Sequence, residues 1–242
     1  MPHREELITG EIYHIILRAL DDNLIFKDIN DYYRGIFSIY EFNNDNSVEI
    51  WRRRRDRIAE KKREKMWEVG SPTILDKRDR FVDVLAFCFM PNHVHLLLKQ
   101  IKNEGVSKFM QKIGGGYGRY FNDKYKRKGY VFQNRFKSVH IQDDKQLMIV
   151  VPYIFTNPVA LIEPGWKEHG VKNHSIEKII KFLKDYKWSS YQDCIGMKNF
   201  SSVTQRDFLL EAMGDEQGLK DAIKNWIEYK NSLEQSNNLF LE

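Results

Sequence analysis

The chain is short of cysteine, of long apolar runs and of any strong excess of one charge, and each shortage removes a class of protein. Cys88 and Cys194 are the only cysteines in 242 residues, so neither a disulfide framework nor a zinc knuckle is available, and both thiols are expected to be free. No apolar stretch approaches the roughly 20 residues that span a bilayer. The opening Met1-Pro-His-Arg-Glu-Glu6 has no signal-peptide core behind it, so the expected setting is the cytoplasm, with no membrane partner. A net charge of +5 and a pI near 9.0 fit a polyanionic partner without demanding one. What remains is an ordinary globular composition, 42% hydrophobic and 30% charged, long enough for one large domain or a domain with an appendage.

Within that composition, the apolar run Phe87 to Lys99 carries His93 and His95 with a single valine between them. Residues i and i+2 of a strand face the same side, so both imidazoles can reach one cation. Two polar rings on a strand that continues into Leu96-Leu97-Leu98 need compensation. Ligation of a divalent ion by neutral imidazole supplies it. The alternative is one hydrogen-bonded core histidine beside one at an exposed edge. Phe81 to Phe89 reads as the preceding strand, joined to this one by a tight turn at Met90-Pro91-Asn92.

Downstream, Asp143-Asp144 offers an N-cap for a helix carrying Tyr153 and Asn157. Four residues advance a helix by about 400°, so Tyr153 and Asn157 share one face. Pro152 should kink this helix and Pro158 should end it. Gln133, Arg135 and Lys137 stand two apart in a segment, 129–141, that alternates as a strand or hairpin. An amide, a guanidinium and an ammonium on one face suit a phosphodiester; the alternative is a solvated sheet face. Ile12 to Leu20 reads as a first strand with Arg18 near its end, a phosphate contact or a solvated arginine. A helix follows through Tyr32 to Tyr40, capped from Asp28-Ile-Asn30-Asp31, and a second through Val106 to Phe121 is expected to break at Gly114-Gly115-Gly116.

Three motifs in this order, Met90-Pro-Asn-His93-Val-His95, Phe132-Gln-Asn-Arg-Phe-Lys137 and Tyr153-Ile-Phe-Thr-Asn157-Pro-Val159, resemble the single-tyrosine HUH transposases, in particular the group associated with repetitive extragenic palindromes. Trp188-Ser-Ser-Tyr191 adds to the resemblance, which covers roughly residues 8 to 195. It implies an α+β fold, a ferredoxin-like antiparallel sheet with helices on one face. It also implies metal-dependent cleavage and strand transfer of single-stranded DNA at a hairpin or palindrome, through a 5′-phosphotyrosine. Tyr153 would be the nucleophile, and His93, His95 and Asn157 would hold Mg2+ or Mn2+. Arg18, Gln133, Arg135 and Lys137 would touch the DNA. Monomer and homodimer both stay open.

Between the first helix and the His-x-His strand the family usually has a shorter connection, so residues 45–78 read as an insertion. Its segment Trp51 to Trp67 holds nine cations against three acidic side chains and neither Gly nor Pro, the pattern of an exposed helix. Arg52, Arg53, Arg54 and Arg55 could lie on a nucleic-acid backbone, with Trp51 and Trp67 available to stack on bases. The alternative is a solvated, salt-bridged helix. Residues 1–195 then form the transposase-like domain and 196–242 a helical C-terminal extension. A second reading of the whole chain is a non-catalytic binder of hairpin DNA or RNA that keeps the fold.

Overall fold

The computed structural model describes residues 6–49, 52, 53, 55, 76, 78–133 and 135–239, with side chains through Ser232. Strands β1 (Ile12–Arg18), β2 (Val82–Met90), β3 (His93–Gln100) and β4 (Lys137–Ile141) form an antiparallel sheet in the order β2-β3-β1-β4. Helix α1 (Ile29–Glu41) connects β1 to β2, and α2 (Gly105–Tyr125) connects β3 to β4. Two β-α-β units split in this way are the ferredoxin-like arrangement. Met90 pairs with His93, so Pro91 and Asn92 form the two-residue hairpin loop that their chemistry suggests.

Alternation along the strands feeds two apolar layers. Tyr13, Ile15, Leu17, Phe87, Phe89, Leu96 and Leu98 pack under α1 and α2. Leu85, Ala86, Cys88 and Leu97 face the other way, under α3 (Asp144–Thr156) and the helices after it. Those are α4 (Trp166–His169), α5 (Ile176–Asp185), α6 (Tyr191–Cys194), α7 (Asp207–Met213) and α8 (Glu216–Leu239). The helices on one face expected from the resemblance are α1 and α2, and a further helical layer closes the opposite face. Leu209, Met213, Leu219, Ile223 and Ile227 of the C-terminal extension share an apolar cluster with Val151, Ile154 and Phe155 of α3. The extension therefore buttresses the helix that carries Tyr153.

Two expectations change. Helix α2 runs unbroken through Gly114-Gly115-Gly116. Its third glycine is a packing requirement, since a Cβ on Gly116 would lie 2.2 Å from the Phe42 ring. The strand expected from residue 129 is regular only from Lys137, because Phe132 makes an isolated bridge to Ala19 and the Gln133 N–H donates to Arg18 O at 2.9 Å. Among the described residues no helix is long and apolar enough to cross a membrane.

The β2 edge is covered by the motif that resembles the family's Trp-Ser-Ser-Tyr. The Phe89 N–H donates to Trp188 O at 2.8 Å, the Ser190 N–H to Phe87 O at 3.0 Å, and Ser190 Oγ accepts from the Phe87 N–H at 2.9 Å. Trp188 also stacks on Tyr32 with ring centroids 4.5 Å apart. The strap thus satisfies an edge that would otherwise offer unpaired backbone groups.

Helix α1 is tied to α2 through one carboxylate. Asp28 caps α1 by accepting from the Asn30 and Asp31 N–H groups, and Asp31 reciprocates toward Asp28 N. Fully buried Asp31 also accepts from the hydroxyls of Tyr120 and Tyr125 and from Lys124 Nζ. Burial alone would raise its pKa, but these donors outweigh burial and hold it below the usual 3.8. A depressed carboxylate contributes stability above its unfolded value and loses it as pH falls through the folded one. Asp31→Asn should cost about 2–4 kcal/mol in urea unfolding at pH 7, with a clearly smaller gap at pH 3. A gap of equal size at both pH values would assign the role of Asp31 to shape instead of charge.

Candidate active site

The β1–β3 register sets Ile16 opposite His95 and Arg18 opposite His93, so these four side chains share the sheet face that looks toward α3. His14, two residues before Ile16, lies on the same face. Its Nε2 is 2.9 Å from His95 Nδ1, and His95 Nε2 is 3.0 Å from His93 Nε2. His93 Nδ1 is in turn 2.6 Å from Asn92 Oδ1. An amide oxygen only accepts, so His93 Nδ1 carries the proton and its Nε2 is a lone pair. In neutral rings the proton order then follows: His95 Nε2–H donates to His93, and His14 Nε2–H donates to His95 Nδ1.

Neutrality is what burial imposes. Desolvation first, then the charge of Lys167, lowers His14 to about 4. Desolvation followed by Arg18 and Lys167 lowers His93 to about 4. His95, flanked by both other rings, falls well below 6.5, with desolvation again the largest cause.

Across the cleft stands Tyr153. Asp143 caps α3 by accepting from the Gln146 N–H at 2.7 Å, which fixes the start of the helix. The helix continues across Pro152. The missing Pro152 N–H removes a donor for Met148 O; the Met148 residue is 43% exposed, so water can replace that donor. Tyr153 is aimed into the cleft, edge-on to His14 at 5.8 Å and to His95 at 5.7 Å between centroids. Burial raises its hydroxyl pKa, while the charges of Arg18 and Lys230 oppose the rise. As Pro158 suggests, α3 ends at Thr156, and Asn157 opens a short 3-10 segment with its side chain one turn beyond Tyr153.

Asn157 is held on both sides. Its Nδ2 donates to Tyr153 O at 2.8 Å, and its Oδ1 accepts from Lys167 Nζ at 2.7 Å. Lys167 reaches this position because Gly165, at φ 77°, reverses the chain before buried Trp166 anchors α4. The ammonium lies 4.2 Å over the Tyr153 ring. Arg18, His93, His95, Tyr153, Asn157 and Lys167 together line a cleft of about 300 Å³.

The donor set has the spacing of a divalent-cation site. Two nitrogens about 2.1 Å from one octahedral ion and at right angles to each other lie about 3.0 Å apart, which matches the Nε2 pair. Neutral imidazoles and an amide oxygen are suitable donors. Among the described residues no three or more His, Cys, Asp or Glu side chains converge as ligands, so Asn157 Oδ1 would have to complete the set. The site fits a cation only if Asn157 exchanges Lys167 for it.

The remaining sequence candidates are dispersed. Lys137 pairs with Ile16 on the cleft face and is exposed, as is Arg135. Gln133 is half-buried and is anchored through its backbone. Arg52, Arg53 and Arg55 are helical and exposed, and Arg53 Nε lies 3.8 Å from Glu41 at the end of α1, away from the cleft. Arg54, Trp51 and Trp67 lie outside the described residues. Sequence reasoning missed His14 and Lys167. Period-2 spacing with Arg18 was a signal for the first, whereas nothing local marks the second.

Residues 46–157 match the family model described as "Transposase IS200 like". The similarity is to IS200-like transposases. That transposase match contains His93, His95, Tyr153 and Asn157, and leaves β1 with His14 outside it. A Haemophilus influenzae protein assigned by name to the REP-associated tyrosine transposases is 28% identical over 121 residues, 45% of this chain and 58% of that relative's length. The chain thus spans less than two thirds of the curated transposase it matches. A solved REP-associated tyrosine transposase bound to a REP hairpin is 17% identical, with a TM-score of 0.45 over 83% of this chain and 89% of that one.

Depressed imidazoles have a measurable consequence. Between about 4 and 6.5 the unfolded chain binds more protons than the folded one at His14 and His93, so stability should fall as pH drops through that window. NMR titration of the cation-free protein should find both rings changing charge near pH 4. Midpoints near 6.5 would contradict the buried neutral relay.

Proposed function

We propose that the protein is a DNA strand transferase that cuts and rejoins single-stranded DNA at a hairpin or palindrome, with Tyr153 as nucleophile. The observation that carries this reading is the convergence of the Tyr153 ring, the His93–His95 nitrogen pair and Asn157 in one cleft. His93 Nε2, His95 Nε2 and Asn157 Oδ1 would hold Mg2+ or Mn2+. Such an ion, when bound, polarises the scissile phosphate and stabilises the leaving 3′ oxygen.

The chain's own groups do the rest. Tyr153 Oη bonds to phosphorus as the bond to the 3′ oxygen breaks, the phenolic proton ends on the released 3′ hydroxyl, and the DNA 5′ end stays on the tyrosine as an ester. That ester keeps the bond energy for rejoining, which hydrolysis by water would discard. The raised hydroxyl pKa keeps the proton on Tyr153 until attack, and the positive field of Arg18 favours the phenolate as it develops. Lys167, once exchanged from Asn157, is placed to pair with a phosphate oxygen. Arg18, Gln133, Arg135 and Lys137 would flank the strand near the cleft. Arg52 to Arg55 would hold phosphates without reading sequence.

One observation favours the second reading, a binder without chemistry: the Lys167 bond occupies the oxygen that the cation would need. A denaturation-resistant adduct separates the two. Wild-type protein with a single-stranded hairpin substrate and Mn2+ should give a covalent product carrying the DNA 5′ end. Tyr153→Phe, which keeps the ring and its packing, should abolish that product and leave hairpin affinity unchanged. Cleaved DNA without an adduct would point to water as nucleophile, and intact DNA would leave the binder.

A further inference from the structure

On the sheet face away from the cleft, the outer side of α1 forms a second cavity of about 500 Å³ with Tyr120 of α2 and the segment 199–203. Five aromatic side chains are among its lining: Tyr33, Phe37, Tyr40, Tyr120 and Phe200. Tyr33 is 40% exposed at the mouth. Cations sit on the same rings. The Arg34 guanidinium lies 5.1 Å from the Tyr120 centroid, Lys187 Nζ lies 4.8 Å from that of Tyr33, and Arg78 stacks on Tyr40 at 3.5 Å. Arg78 is also paired with Asp76, and Lys187 Nζ donates to the Tyr33 hydroxyl.

The neighbourhood is equally informative. Two described cations of residues 45–78 lie beside α1, Arg53 near Glu41 and Arg78 on Tyr40 of the cavity. Stacked rings with cationic rims are the usual way single-stranded nucleic acid is held. A purely apolar protein segment would gain nothing from the guanidinium and ammonium groups at the rim.

We propose that this cavity is a stacking site for an unpaired base of the DNA strand, separate from the cleft. It rests on the reading that the protein handles single-stranded DNA, but not on the chemistry of Tyr153. The test is binding of a single-stranded oligonucleotide carrying 2-aminopurine to the full chain, without divalent ion. Saturable quenching should appear, and Tyr33→Ala should weaken it about tenfold or more, while Tyr33→Trp retains it. An otherwise identical abasic strand should bind more weakly to wild type and be indifferent to Tyr33→Ala. Tyr153→Phe should leave the quenching intact, so loss of catalysis and loss of this site are read separately. Equal affinity of abasic and base-bearing strands, or no effect of Tyr33→Ala, would overturn the proposal. Should Tyr33→Ala unfold, photo-cross-linking of a 5-iododeoxyuridine strand to wild type decides instead. Cross-links within residues 30–40 or 199–203 support the site, and cross-links confined to the cleft residues refute it.

Discussion

Three imidazoles packed against one another, His14 and His95 buried and His93 half-buried at the cleft, are held neutral by desolvation. That constraint organises the cleft. Asn92 Oδ1 accepts from His93, and the remaining protons then have a single order through His95 to His14. A cation on both Nε2 atoms would need the His95 proton moved to Nδ1 and the His14 tautomer exchanged to receive it. His14 Nε2 fixes the orientation of the His95 ring through its contact with His95 Nδ1.

The scaffold serves this arrangement from both sides. Hydrogen bonding between β1 and β3 fixes the spacing of the rings, because a one-residue slip would turn His93 and His95 to the opposite face. Helix α3 brings Tyr153 over them, held down by α7 and α8 through Leu209, Met213 and Ile223. The C-terminal segment therefore packs against the helix that carries Tyr153. Lys167 supplies the remaining restraint, gripping Asn157 while lying on the Tyr153 ring. Asn157 and Tyr153 are consequently coupled through one ammonium.

Much of this was legible in the sequence because it rests on short-range periodicity. The His-x-His pair announced a shared strand face, Tyr153 and Asn157 announced a shared helix face, and Pro91-Asn92 announced the hairpin. What stayed hidden depends on register and tertiary contact. His14 joins the relay only because β1 pairs with β3 in one particular register. Lys167 arrives through a glycine turn whose direction no local pattern encodes. The triple glycine misled for a related reason: its value is close approach to Phe42, a partner more than seventy residues earlier in the chain. The 129–141 alternation also misled, since Gln133 and Phe132 are claimed by β1 before a regular strand begins.

On the proposed reading, the His93–His95 pair and Asn157 form a cation site facing Tyr153. Anomalous diffraction from crystals soaked in Mn2+ tests it most directly. The account predicts one peak between the two Nε2 atoms, with Asn157 Oδ1 turned from Lys167 toward it and Tyr153 unmoved, and no peak in His95→Ala. A peak elsewhere, or Asn157 still bound to Lys167 beside an occupied histidine pair, would contradict it.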